Sequence, residues 1–215
     1  MKKFLMALSF MYVYNITYAQ QYPEPEFSNE VYYLEKDTVY KTIRLEKESA
    51  KLDAKMKMGG FGGMENGYSI DDSKSTVRIT HGNNLSFIFS TGTTVKVGSP
   101  LSDSLMNANG IDPEMMRNMA DKMNNPLNNI TLYKLETEKG KRKIIMQKSG
   151  GAVPFASKKI KSSDKYTFSI KKIREGYSEL VIDKTLPGGE YAFSVPQNGM
   201  GGMGGDITLF AFGIE

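Results

Sequence analysis

The chain has 215 residues, 40% of them hydrophobic and 24% charged, with a formal net charge of +4 and no cysteine. That composition suits a folded chain with one sizeable core, or at most two small domains. The missing thiols exclude a disulfide framework, a thiolate metal site and a lipid-modified cysteine.

Residues 1–19 read as a signal peptide. Lys2 and Lys3 form a positive n-region, residues 4–14 are mostly apolar, and Thr17 and Ala19 are small residues where a signal peptidase reads, so cleavage is expected before Gln20. The apolar run is too short to cross a bilayer as a helix, and no later run reaches about 18 apolar residues. The expectation is a soluble or peripheral mature protein without a transmembrane segment, periplasmic, attached at the outer surface or secreted. Losing Lys2 and Lys3 takes the net charge from +4 to +2, so the distribution of charge says more than its sum. Residues 139–174 hold twelve bases and one acid, whereas residues 175–215 hold six acids and one lysine.

Residues 20–29 are rich in Pro and Glu and read as an irregular lead-in to a single domain over residues 30–215. In residues 50–58, Ala50, Leu52, Ala54, Met56 and Met58 alternate with charged residues, which predicts a strand with its apolar face buried. Glycines break that pattern at residues 59–63. Residues 75–80 and 85–89 read as a hairpin around His81 to Asn84, followed by a short strand at 93–97. Further hairpins are expected between 130–137 and 143–147 around Gly140, and between 180–183 and 191–195 around Pro187, Gly188 and Gly189. A last strand covers 207–214.

One stretch departs from this pattern. Asp112 is a good N-cap, Pro113 suits the first helical position and Glu114 sits at the positive helix end, so a helix over 112–124 is expected within an insertion spanning 99–128. The sum predicts a mainly β fold, an antiparallel β-sandwich or open barrel with one short helical insertion.

The run from Leu186 through Pro187, Gly188, Gly189, Glu190, Tyr191 and Ala192 to Phe193 resembles a turn-and-strand common in β-sandwich modules of exported bacterial proteins. Taken with residues 130–135 and 210–214, it is similar to uncharacterised exported proteins of Bacteroidetes-type bacteria. The resemblance is at the level of the fold, spans about half the chain and brings no activity with it.

Three sets of residues are candidates for chemistry. Met56, Met58, Met200 and Met203 with His81 could offer soft ligands to Cu(I), although Met56 and Met58 are equally expected to pack in the core. Met115, Met119 and Met123 form a stripe on the expected helix. With Phe61 and Met64 in the Gly/Met loops at 59–67 and 199–205, they make a candidate partner-binding surface. Lys141, Arg142, Lys143, Lys158, Lys159 and Lys161 could gather into a patch for a polyanion such as an anionic surface.

No Gly-x-Ser-x-Gly elbow or phosphate loop occurs, no cofactor is expected, and aromatics are not interleaved with the bases as nucleic-acid binding requires. Carboxylate pairs such as Glu46 with Glu48, or Asp71 with Asp72, are expected in exposed surroundings, which gives a glycan hydrolase little footing. The reading is a non-enzymatic exported binding or structural module of the cell envelope, its partner an envelope protein or glycan. A Met-based Cu(I) protein and a hydrolase acting on glycans are the alternatives.

Overall fold

The computed structural model describes residues 22–56, 63–80, 83–92, 112, 114, 125–150, 160–195 and 205–215. The strands among them are β1 (Val31–Lys36), β2 (Tyr40–Arg44), β3 (Glu46–Met56), β4 (Gly63–Asp71), β5 (Arg78–Ile79), β6 (Ser86–Ser90), β7 (Thr131–Glu138), β8 (Lys141–Gly150), β9 (Ile160–Lys161), β10 (Lys165–Tyr166), β11 (Phe168–Arg174), β12 (Tyr177–Ile182), β13 (Gly189–Ser194) and β14 (Ile207–Ile214). The fold is mainly β, as the turn spacing predicts.

The strands form two bodies. One is an antiparallel ring in the order β7-β13-β14-β3-β4-β8, closed by pairing of β8 back onto β7. The other is a five-stranded sheet, β11-β12-β6-β1-β2. The ring is thus a closed barrel, and closure removes the two edges an open sheet would leave.

Closure rests on a short seam. β7 and β8 pair only through Glu136 to Glu138 and Lys141 to Lys143, around a tight turn in which Lys139 and Gly140 have φ of 52° and 77°. Both central residues at positive φ mark the hairpin turn whose twist matches the strands, which is where glycine is favoured. Beyond the seam the two strands part, and β9 and β10 fill the gap from either side. Ser163 holds this wedge in place: its N–H donates to the Ile145 carbonyl at 2.8 Å, and its Oγ accepts from the Ile145 N–H at 2.8 Å.

Alternation sorts side chains between the barrel interior and its outer wall. Ala50, Ala192, Ala211, Leu209, Ile70, Ile144, Leu135 and Tyr133 form the interior cluster, and Tyr133 stands opposite Ala192, a large residue against a small one. Tyr191, Phe193, Phe210 and Phe212 point outward and meet Phe87, Phe89, Leu180 and Ile182 of the five-stranded sheet. Phe87 is central, with its ring centroid 4.9 Å from that of Phe193 and 5.0 Å from that of Phe212.

The far face of the five-stranded sheet is covered by the lead-in. Residues 22–29 are irregular, as expected, yet they dock closely. The Tyr22 hydroxyl donates to Glu179 at 2.8 Å, the Tyr177 hydroxyl donates to the Pro23 carbonyl, and Phe27 lies under the Arg44 guanidinium at 4.5 Å. Burial raises the Tyr177 phenol to about 12. Burial also works against the Glu179 carboxylate, but Lys36 and the Tyr22 hydroxyl win and hold it below the ordinary glutamate range.

Two expected hairpins do not form. β5 joins β14 in parallel, whereas β6 lies between β1 and β12 in the other sheet. Residues 86–89 are buried on both faces, so they need a central position that a hairpin with residues 75–80 would not give. Likewise β12 and β13 belong to different sheets. The turn at Pro187 is a corner between layers, pinned where the Tyr191 hydroxyl donates to the Pro187 carbonyl at 2.7 Å. The last strand at 207–214 and the turn at Gly140 are as expected, but that hairpin pairs only Glu136–Glu138 with Lys141–Lys143, and residues 131–135 pair with β13.

Asp112 Oδ1 accepts from the Glu114 N–H at 2.8 Å, in keeping with its expected capping role, and Glu114 is helical. The rest of the helix expected at 112–124 and the strand at 93–97 lie outside the described residues, and one 3-10 turn spans Pro126–Asn129.

Because Phe87 joins the two bodies, Phe87→Ala is expected to lower stability by about 3–5 kcal/mol. Urea unfolding followed by tyrosine fluorescence checks this. A loss below about 1 kcal/mol, the usual scale of a surface change, would show that the aromatic layer does not couple sheet to barrel.

Candidate functional site

The two ends of the barrel differ in chemistry. At one end the segment leading into β5 crosses the opening and is held by ion pairs. Arg142, fully buried, donates through Nη1 to Glu46 Oε2 at 2.8 Å and through Nε to the Asp72 carbonyl at 3.2 Å. Glu190 takes Arg78 Nη1 at 2.5 Å and the Ser75 N–H at 2.8 Å. The Arg78 guanidinium lies flat on Gly213, where an added Cβ would meet Nη1 at 1.6 Å, so glycine is required for this pair to form.

Burial opposes ionisation of Glu46, but hydrogen bonds from Arg142 and Ser75 outweigh it and hold the carboxyl below the ordinary value of 4.5. Glu48, on the same face of β3, is raised by burial and by the neighbouring Glu46 carboxylate. The expectation that this pair sits in exposed surroundings is therefore corrected. Both are half-buried and face the barrel interior, because β3 turns this edge of its alternation inward. Glu46 is committed to Arg142, Ser75 and Thr76, which gives it a structural task.

At the other end, β3, β4 and β8 run on past the ring as an arm. β14 pairs with β3 only as far as Ala50, while β3 continues to Met56 with β4 alone beside it. The outer face of the arm is a lattice of opposite charges. Lys143 reaches Glu138 at 2.7 Å, Glu65 at 3.6 Å and Asp53 at 3.9 Å. Lys148 meets Glu65 at 2.7 Å and Lys161 meets Glu136 at 2.8 Å, while at the ring end of the same strands Lys141 meets Asp71 at 2.9 Å.

The inner face of the arm continues the barrel interior but is open to solvent. Met56, Met64, Ser149 and Ile160 form one row across four strands, with Leu52 two residues along β3. Leu52 is 47% exposed, Met56 73% and Ile160 66%, and Met146, at the bulge in β8, is 46% exposed. Three large apolar residues are thus exposed on one face, backed by one that carries ion pairs among Lys55, Asp53, Glu65, Lys143 and Lys148, and exposed apolar clusters of this kind often mark contact surfaces.

These positions revise the sequence expectations. Met56 does not face a core: the alternation of residues 50–56 is correct, but only Ala50 lies within the ring. Met64, expected with the partner-binding loops, is half-buried directly opposite Met56. Of the Cu(I) set, Met58, Met200, Met203 and His81 lie outside the described residues, as do Phe61, Met115, Met119 and Met123 of the partner set.

Four residues of the polyanion set are described. Arg142 points into the barrel and Lys143 is nearly buried, while Lys141 and Lys161 each hold a carboxylate; Lys158 and Lys159 are outside the described residues. Leu52 and Ile160 were not expected in a site. The length of β3, eleven residues against a usual strand of about 5–6, is the sequence signal for an overhanging arm.

Among the described residues, no helix is long and apolar enough to cross a membrane. No family model, curated protein or solved structure matches the chain.

The two glutamates on β3 give opposite pH signatures. Glu46 is held low when folded, so its stabilisation is present above 4.5 and is lost as pH falls through its folded value. Glu48 is held high, so it destabilises once ionised, and this penalty disappears in acid. At neutral pH, Glu46→Gln is expected to cost about 3–5 kcal/mol by leaving Arg142 uncompensated, while Glu48→Gln raises the melting temperature. Melting curves from neutral pH to below 4 check both. Shifts of the same sign for the two variants at neutral pH would contradict the assignment.

Proposed function

We propose that the chain is a non-enzymatic, exported binding or structural module of a bacterial cell envelope, and that it works by presenting the open apolar face of its arm to another envelope component. The single observation that carries this reading is the exposure of Leu52, Met56 and Ile160 together on a face whose reverse side is neutralised. Such a surface loses apolar contact with water when covered, at roughly 25 cal/mol per Å², and its ion-paired back needs no ligand. The signal-like residues 1–19 and the resemblance to exported β proteins support the location.

Cell fractionation with N-terminal sequencing tests both halves. The product is expected in an extracytoplasmic fraction, beginning at Gln20 and associated with particulate envelope. Replacing Met56 and Ile160 together by Glu should release it to the soluble fraction without lowering its melting temperature. A cytosolic chain that keeps Met1 overturns export, and unchanged partitioning of the double variant overturns the role of the apolar face.

A further inference from the structure

We propose that the free edge of β3 pairs antiparallel with the same edge of a second copy, joining two arms into one sheet about a two-fold axis through Ala54. Among the described residues, positions 51–56 of β3 have β4 on one side and no strand on the other, since β14 stops opposite Ala50. An edge of this kind carries unpaired N–H and C=O groups and is a template for another strand. Lysines usually guard such edges, and Lys51 and Lys55 do so here. Between them stands Asp53, which turns a general deterrent into a register-specific key.

Three constraints choose the register. Side-chain alternation requires apolar residues to face apolar ones, because directly paired residues share a face; this excludes odd slips, which would set Leu52 against a charged residue. Charge then decides between the even registers. Centring the pair on Asp53 would oppose two aspartates and set Lys51 against Lys55, whereas centring it on Ala54 confines the pairing to residues 52–56 and sets Asp53 against the second copy's Lys55 and the reverse. Centring on Leu52 would require Ala50, whose outer edge is already occupied by Ile207.

In the remaining register Leu52 packs beside the second copy's Met56 on the apolar face. Within one chain Asp53 is held by Lys55 at 2.9 Å, so association exchanges an ion pair for an equivalent one. The pairing is isologous, closes as a dimer and leaves no further edge of β3 for a third copy. It extends the reading of the arm as the working surface, because the two apolar faces become one surface of double width.

The absence of cysteine makes the geometry directly testable. Ala54→Cys places two thiols opposite each other with Cβ atoms about 4.5–5.5 Å apart, so mild oxidation should convert the full chain almost completely to a covalent dimer. Leu52→Cys is the control, its two copies standing about 13 Å apart at ~3.3 Å per residue, and should cross-link little.

Light scattering on the unaltered chain is expected to give twice the mass of one chain. Asp53→Lys and Lys55→Asp should each give a single-chain mass, and combining them should restore the dimer, which separates a lost interface from a lost fold. A single-chain mass for the unaltered protein, a dimer indifferent to Asp53→Lys, or equal cross-linking at positions 52 and 54 would overturn the proposal. A single-chain mass would leave the fractionation result of the previous section untouched, so the two readings fail separately.

Discussion

The arrangement of this protein follows from how β13 and β14 distribute their side chains. Tyr191, Ala192 and Phe193, opposite Phe212, Ala211 and Phe210, alternate large and small in step with the strand period. A six-stranded ring has a narrow bore, so the alanines turn inward and the aromatic rings outward. That choice closes the barrel but leaves its wall covered in phenyl groups, which water disfavours. The five-stranded sheet is the cover, and Phe87 is the residue through which it grips.

Burial on both faces of that cover has a second consequence. β6 lies at the centre of the sheet, with Phe87 and Phe89 toward the barrel and Ile88 toward the other side. The outer side is sealed in turn by Tyr22 and the residues that follow. Glu179, nearly inaccessible in this layer, is tolerable because Lys36 pairs with it and the Tyr22 hydroxyl donates to it. The lead-in is therefore irregular in backbone and still part of the packed structure, a combination its Pro/Glu-rich composition does not predict.

How much of this was legible in the sequence depended on the range of the interaction. Strand positions from residue 207 to 214 and the turn at Gly140 are set by neighbours in the chain, and pattern alone located them. Partner choice is non-local. The Pro187 turn carries a valid turn signal, but whether it folds a strand back on its neighbour or sends it to another layer depends on where Tyr191 is buried. The basic stretch shows the same limit in electrostatics. Charge along residues 139–174 is one-sided, yet Asp53, Glu65, Glu136 and Glu138 from other strands meet Lys143, Lys148 and Lys161, so those described bases are matched by acids remote in the chain. Arg142 and Lys143, adjacent in sequence, end on opposite faces of the wall because a strand alternates.

The barrel's two ends divide buried, paired charge from exposed apolar surface. At one end buried charges are fixed by partners on separated segments, Glu46 on β3 with Arg142 on β8, and Glu190 on β13 with Arg78 on β5. Such pairs add little net energy over apolar packing, but they penalise any displaced arrangement heavily, since a shift strands a buried charge. That end therefore sets the register of the ring. With the register fixed, the long strand β3 must overrun β14 at the opposite end. The same alternation that lined the bore with Ala50 then carries Leu52 and Met56 beyond the wall that would have covered them. Exposure of the arm is thus a geometric result of locking the far end, and an apolar surface placed this way can be used for contact without loosening the core beneath it.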